Sequence, residues 1–158
     1  MRNVLMLTLL TPLLILVGSA QGGIFGSWKL NPARSTFSGE TPPKSFTLRV
    51  EPHAKGEVVT VDRTEANGRA TSSSMILYLD GVARPFQDAG CSGTQSSRRV
   101  DSQTVEILRT CTNGESTKFI RRLAPQGNEL ILEITEQRSG GRRFELRLVL
   151  ERQAVEEK

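Results

Sequence analysis

Apolar and polar residues alternate along most of the chain after its first twenty residues. The alternation has a period of two, which is typical of β-strands that bury one face, and it differs from the 3.6-residue period of amphipathic helices. Three segments show it most clearly, with apolar residues at Phe46, Leu48 and Val50, at Leu130, Leu132 and Ile134, and at Phe144, Leu146, Leu148 and Leu150. The pattern predicts an all-β protein with one buried and one wet face.

Turn-forming residues separate these runs at close intervals. Asn67-Gly68, Asp80-Gly81 and Asn113-Gly114 are dipeptides that accept positive φ angles and close β-hairpins. Eight to ten strands are expected, at about residues 24–30, 44–51, 57–64, 70–79, 82–86, 91–100, 103–111, 115–123, 129–137 and 142–152. Because a barrel hides both the apolar face and the strand edges, we predict a single up-and-down antiparallel β-barrel, with a sandwich as the alternative.

The first twenty residues form a different kind of segment. Arg2 precedes an apolar run, and the small residues Gly18 and Ala20 follow at the positions that signal peptidases require. A membrane anchor is the alternative, but Pro12 interrupts the run and its length falls short of the ~20 residues that span a bilayer. We predict a cleaved signal peptide at residues 1–20 and one domain at residues 21–158. The mature protein is then exported, periplasmic or extracellular, with no transmembrane segment.

The start and the end of the mature chain carry a family resemblance. Gly26-Ser27-Trp28 resembles the Gly-x-Trp signature of lipocalins, and "GSWKLNPARSTF" with the terminal "LVLERQ" is similar to small exported bacterial lipocalin-like proteins of the calycin type, whose role is largely undefined. The resemblance implies that the indole of Trp28 closes the barrel floor. It also implies that Arg152, which has the inward parity of its strand, packs over that indole. Gly26, Trp28 and Arg152 are therefore expected to be structural.

Charge and composition exclude several functions. The formal net charge of +4, which becomes +3 without Arg2, is too small and too dispersed for a nucleic-acid binder. His53, the single histidine, lies in a turn and lacks a nucleophile partner, although a haem-ligating histidine is the sharper alternative. We expect no catalytic residue, no metal site and no cofactor, and hence a protein that is not an enzyme.

The two cysteines are expected to form a disulfide. An exported chain with one even pair favours a bridge over free thiols. A hairpin centred on Asp101 would place Cys91 directly opposite Cys111, within the Cα separation that a bridge requires.

Four polar residues are candidates for ligand binding. Arg109 and Arg121 have the same parity as the apolar residues of their strands, and Gln95 and Ser97 lie on the same face of a neighbouring strand. A buried arginine must be paired or must reach a wet cavity. An internal salt bridge from Arg121 to Glu136 would satisfy that charge without a ligand, and a β-bulge near residue 109 would turn Arg109 outward.

Two functions remain open from the sequence. The first is a barrel that binds a small amphipathic, anionic molecule, with residues 31–43 as a lid over its mouth. The second is a filled structural or interaction barrel in the cell envelope. A cavity of about 300 Å³ or more would favour binding. The sequence does not specify the oligomeric state.

Overall fold

The computed structural model describes residues 23–88 and 90–154. It consists of ten antiparallel strands and two short 3₁₀ turns, Pro32–Arg34 and Ser139–Gly141. The strands are β1 Gly26–Leu30, β2 Ser45–His53, β3 Gly56–Thr64, β4 Ala70–Leu77, β5 Arg84–Asp88, β6 Cys91–Arg99, β7 Thr104–Cys111, β8 Ser116–Leu123, β9 Glu129–Gln137 and β10 Arg143–Arg152. The predicted all-β, up-and-down antiparallel fold is confirmed, and its sheet curls into a half-barrel.

All ten strands belong to one curled sheet. Its order is β4-β3-β2-β1-β10-β9-β8-β7-β6-β5, so the first and last strands pair with each other in the middle of the sheet. We call the end at which β1 begins and β10 ends the floor, and the opposite end the rim. Within the described residues no hydrogen-bonded ladder joins β4 to β5, and these two strands are therefore the edges of the sheet.

The connection between β4 and β5 differs from the predicted tight hairpin at Asp80-Gly81. Leu79 adopts a φ of 60°, and the chain then runs beside β6. Asp80 forms an isolated bridge with Arg98, and the Gly81 N–H donates to the Ser97 carbonyl at 2.8 Å. Since this segment bonds to β6 instead of folding back on β4, the two edge strands stay apart.

The core lies inside the curl and follows the predicted parity. The side chains that alternate inward are buried toward the floor, including Leu48, Val50, Leu130, Leu132, Leu148 and Leu150. Trp28 is fully buried, and its Nε1 donates to the Ile24 carbonyl at 3.0 Å. The guanidinium carbon of Arg152 lies 4.1 Å from the centre of the indole. The floor expected from the resemblance is therefore present.

The disulfide forms, although the predicted register is wrong by two residues. Cys91 and Cys111 are bonded with their Cα atoms 5.2 Å apart. However, Cys111 lies opposite Gly93, because the turn between β6 and β7 is centred on Ser102 and not on Asp101. The Asp101 carboxylate accepts the Gln103 N–H at 2.8 Å, which stabilises the wider turn. The bridge therefore runs diagonally between the two strands.

The predicted signal peptide and its cleavage position lie outside the described residues. Among the residues that are described, no helix has the length and apolar character needed to cross a membrane.

Candidate functional site

A cavity of about 600 Å³ occupies the interior of the curled sheet. Most of its wall is apolar, and it also contains five charged side chains, each from a different strand. The apolar wall includes Phe46, Leu48, Val59, Val61, Met75, Leu77, Phe86, Ile107, Phe119, Leu132 and Ile134. The charged residues are Arg63, Asp88, Arg109, Arg121 and Glu136. The volume falls in the range of roughly 300–1,000 Å³ that small-molecule pockets occupy.

Arg121 lies deep in this cavity, as its parity predicts. It is 1% exposed and pairs with the carboxylate of Glu57, which is fully buried. The other oxygen of Glu57 accepts from Nη2 of Arg99 at 3.0 Å. Two guanidinium groups thus share one carboxylate, and the cluster carries a net positive charge. Arg99 is 42% exposed, so it connects the buried cluster to the surface near the floor.

Two nitrogens of Arg121 have no hydrogen-bond partner in the part of the chain that the structure describes. They are Nε and Nη1, and both are buried. Burial lowers the pKa of Arg121, Glu57 opposes that shift, and the charge of Arg99 adds to it. A guanidinium nevertheless keeps its proton in proteins. Arg121 is therefore a charged residue of the cavity wall with two unused donors.

Arg109 also points inward, because β7 pairs with β6 and β8 without a bulge between residues 105 and 109. Its Nε donates to Oε1 of Gln95 at 2.8 Å, and its Nη2 lies 3.2 Å from the sulfur of Met75. The guanidinium carbon is 4.4 Å from the ring centre of Phe86. Burial lowers the pKa of Arg109, and the carboxylate of Asp88 at 3.6 Å partly opposes this.

Gln95 and Ser97 do not line the main cavity. They face a smaller crevice of about 220 Å³ at the gap between β4 and β5. Gln95 orients Arg109, and the Ser97 hydroxyl accepts the Leu79 N–H at 3.2 Å. Of the four predicted ligand-binding residues, Arg109 and Arg121 are thus brought together in the cavity. That any of the four contacts a ligand remains a prediction.

The partner of Arg121 is Glu57 and not Glu136, so the alternative of an Arg121–Glu136 salt bridge is wrong. The Glu136 carboxylate instead accepts from Nε and Nη2 of Arg138 at the rim, at 2.8 and 2.6 Å. Sequence reasoning missed Glu57. A signal was present, since Glu57 has the same inward parity as Val59 on β3.

Residues 31–43 lie beside the barrel wall. Thr36 and Arg147 of β10 exchange backbone hydrogen bonds of 2.8 and 3.0 Å, and the Val149 N–H donates to the Ser35 hydroxyl at 2.9 Å. None of residues 31–43 lines the cavity, all of them being described. The structure therefore places this segment along β10 and not as the expected lid.

The histidine considered in the sequence lies away from the cavity. His53 ends β2 at the floor, and its Nδ1 accepts the Lys55 N–H at 3.1 Å in the turn to β3. This contact is a local turn interaction.

Comparisons with known proteins agree on the fold. No protein-family model and no curated protein matches the chain. Among solved structures, a Schistosoma mansoni fatty acid binding protein in complex with arachidonic acid matches 82% of this chain and 96% of its own, at 12% identity and a TM-score of 0.55. Secretory abundant heat soluble protein 4 from Ramazzottius varieornatus matches 82% and 94%, at 12% identity and a TM-score of 0.51. At such identities the likeness concerns the fold alone.

Proposed function

We propose that this protein binds a small amphipathic molecule inside its barrel, with the anionic head of the molecule at Arg121. The observation that carries the proposal is Arg121, which lines a largely apolar cavity of about 600 Å³ and has two buried donors without a hydrogen-bond partner among the described residues. An unsatisfied buried polar group costs about 1–3 kcal/mol, and more when it is charged. A ligand that accepts those hydrogen bonds removes that cost.

The chemistry of the head follows from the cluster around Arg121. Because Arg99 and Arg121 share the single carboxylate of Glu57, the cluster has one uncompensated positive charge. A guanidinium pairs well with the planar oxygens of a carboxylate and with phosphate oxygens. We therefore expect an anionic head and not a cationic or neutral one.

The chemistry of the tail follows from the walls. Leucine, valine, isoleucine and phenylalanine side chains from seven strands surround the cavity around Arg121. Such walls suit a hydrocarbon body. One structural neighbour is a fatty acid binding protein in complex with arachidonic acid, which makes a fatty acid the first class to test.

We place this activity outside the cytoplasm and assign it to a binding protein without catalytic residues or cofactor. The apolar segment at residues 4–18 and the Cys91–Cys111 bridge support export. The intact mass of protein recovered from the cell envelope or medium tests this. A chain that begins at Gln21, or within about three residues of it, is the expected result. A chain that retains Met1 contradicts it.

The binding test is a calorimetric titration with oleate and, as a head-group control, oleyl alcohol. Wild type is expected to bind oleate saturably. Arg121→Gln should weaken oleate binding by about 10- to 100-fold, the loss of one charge-assisted hydrogen-bonding group, and should leave oleyl alcohol nearly unaffected. Arg122→Gln changes an exposed arginine on the outer face of the same strand and serves as the matched control.

A second variant avoids the buried ion pair. Ser73→Phe places a large side chain on an exposed position that borders the cavity, and it should weaken both ligands together. If wild type binds neither ligand, the function is wrong and a structural barrel becomes the better interpretation. If Arg121→Gln binds oleate as tightly as wild type, the head does not lie at Arg121.

A further inference from the structure

The two edge strands of the sheet are joined only near the floor. There the chain after β4 bonds to β6: the Leu79 N–H donates to the Ser97 hydroxyl at 3.2 Å, and Asp80 bridges Arg98. Toward the rim, residues 70–74 of β4 are all exposed and have no ladder partner on their free side among the described residues. The gap between β4 and β5 is thus closed at one end and open at the other.

The cavity reaches the surface through this gap. Ser73 and Ser74 of β4 line it from one side, and residues 85–88 of β5 line it from the other. The outer crevice of about 220 Å³ shares Met75, Pro85 and Phe86 with the cavity. The two spaces therefore meet at these three side chains.

The Arg109 side chain spans the gap at that meeting point. It contacts β4 through the sulfur of Met75 at 3.2 Å and β5 through the ring of Phe86 at 4.4 Å and the carboxylate of Asp88 at 3.6 Å. Gln95 holds it from β6. Unlike Arg121, Arg109 makes contacts that tie two unpaired strands together.

The alternative route at the rim has a different chemistry. A polar crevice of about 250 Å³ opens there, and its charged lining residues are Asp88, Arg109, Glu115, Glu136 and Arg138. The crevice beside the gap contains Ile76, Tyr78 and Val82 together with Gln95 and Ser97, and Arg84 is the single charged residue among those that line it. A hydrocarbon chain loses less by crossing a crevice with one charged side chain than by crossing one with five.

From these contacts we infer that the ligand enters and leaves sideways between β4 and β5, and that Arg109 is the latch across this opening. The inference rests on the proposed function, and it gives the two arginines different roles. Arg121 holds the head of the ligand, whereas Arg109 controls the rate of exchange. Opening requires the Arg109 side-chain contacts to break, but it requires no backbone ladder to break, so it needs only a local fluctuation.

The kinetic test uses cis-parinaric acid, a fluorescent fatty acid, in stopped-flow mixing. Arg109→Met keeps an apolar side chain of similar length but removes the latch. Its association and dissociation rates should both rise about tenfold, with the Kd changed by less than about threefold, because a gate alters both rates together. Met75→Leu removes only the contact to β4 and should shift both rates in the same direction by less. Arg138→Gln alters the rim and should leave both rates unchanged.

Three kinetic results would overturn the latch. A Kd that rises about tenfold at an unchanged association rate would make Arg109 an anchor for the ligand. Unchanged rates in Arg109→Met would remove its gating role. If ligand association and dissociation are faster in Arg138→Gln and unchanged in Arg109→Met, the entrance lies at the rim.

A ligand-free measurement separates the latch from the proposed function. Amide hydrogen exchange should be faster in β4 and β5 of Arg109→Met than of wild type. It should be unchanged in β9, which lies near the middle of the sheet and away from both edge strands. Unchanged exchange in β4 and β5 overturns the latch whether or not a ligand binds. A third outcome is that wild type does not bind parinaric acid while amide hydrogen exchange is faster in Arg109→Met. The proposed function is then wrong, and Arg109 only stabilises the contact between β4 and β5. That outcome also overturns gated entry of a ligand.

Discussion

Gly26 and Arg152 approach each other so closely that a Cβ atom on Gly26 would lie 3.0 Å from Nη1 of Arg152. The backbone of Gly26 has a φ of 132°, a conformation that other residues rarely adopt. The space that it leaves is filled by the guanidinium, which lies over Trp28 and donates to the carbonyls of Gly127 and Phe25, each at 2.9 Å. The glycine two residues before the tryptophan is therefore what allows the arginine to cover the indole.

Gly26→Ala should destabilise the protein by about 1–3 kcal/mol, because it imposes both an unfavourable φ and a close contact. Urea unfolding measures the change. In an Arg152→Ala background the contact is absent, so the double variant should lose less stability than the sum of the single variants. If the losses in the free energy of unfolding are additive, the close approach of the two residues does not affect stability.

Trp28→Ala should destabilise the barrel by about 3–5 kcal/mol, because it removes a fully buried aromatic side chain. Arg152→Ala should have a smaller effect, near the ~1–2 kcal/mol of a shielded cation–π contact, together with its lost hydrogen bonds. Since Trp28 is the single tryptophan, its fluorescence reports on the floor directly. Emission typical of a solvent-exposed indole in the wild type would contradict the packing described above.

The features that depend on local periodicity could be predicted from the sequence. The inward positions of Arg109 and Arg121 follow from alternation within one strand, and the structure places both in the cavity. The Glu57–Arg121 pair could not be found in this way. The two residues lie on β3 and β8, which are not neighbours in the sheet, and the curl alone brings them together.

The geometry of two turns depends on a single side chain each, and it could not be predicted from the alternation of apolar and polar residues. The carboxylate of Asp101 widens the turn between β6 and β7 and shifts the register at Cys111 by two residues. Ser97 accepts the N–H groups of Leu79 and Gly81, and this keeps β4 and β5 from forming a hairpin. Both turns look like ordinary hairpin sequences, since the competing hydrogen bond appears only once the neighbouring strand is in place.

Glu57→Gln should destabilise the protein by about 3–5 kcal/mol, the loss expected when one partner of a buried ion pair is removed. The loss arises because Arg121, which is 1% exposed, then keeps its charge without a carboxylate. Arg121→Met combined with Glu57→Gln should lose much less than the sum of the single changes. Chemical denaturation of the four proteins in this cycle gives the coupling, and a coupling near zero would mean that the pair does not interact strongly.

Removal of the disulfide should lower stability by about 3 kcal/mol, the value that the chain-entropy model gives for a closed loop of about 20 residues. The bridged residues are separated by 20 positions. Cys91→Ala with Cys111→Ala tests this without leaving a free thiol, and mass spectrometry after alkylation of unreduced wild type should detect no modified cysteine. Two alkylated cysteines in that control would refute the bridge.

Stability should fall as the pH falls below about 4, where carboxylates with lowered pKa values begin to take up protons. Hydrogen bonds from Arg98 and Lys118, each at 2.7 Å, hold the pKa of Glu106 below its ordinary value. A carboxyl with a lowered folded-state pKa stabilises the protein above the ordinary pKa, and this contribution is lost as the pH falls through the lower value. Denaturation midpoints of wild type and Glu106→Gln should therefore differ at pH 7 and converge near pH 2. A constant difference between pH 7 and pH 2 would contradict a lowered pKa of Glu106. Because Arg98 and Lys118 are largely exposed, 1 M salt should reduce the difference at pH 7.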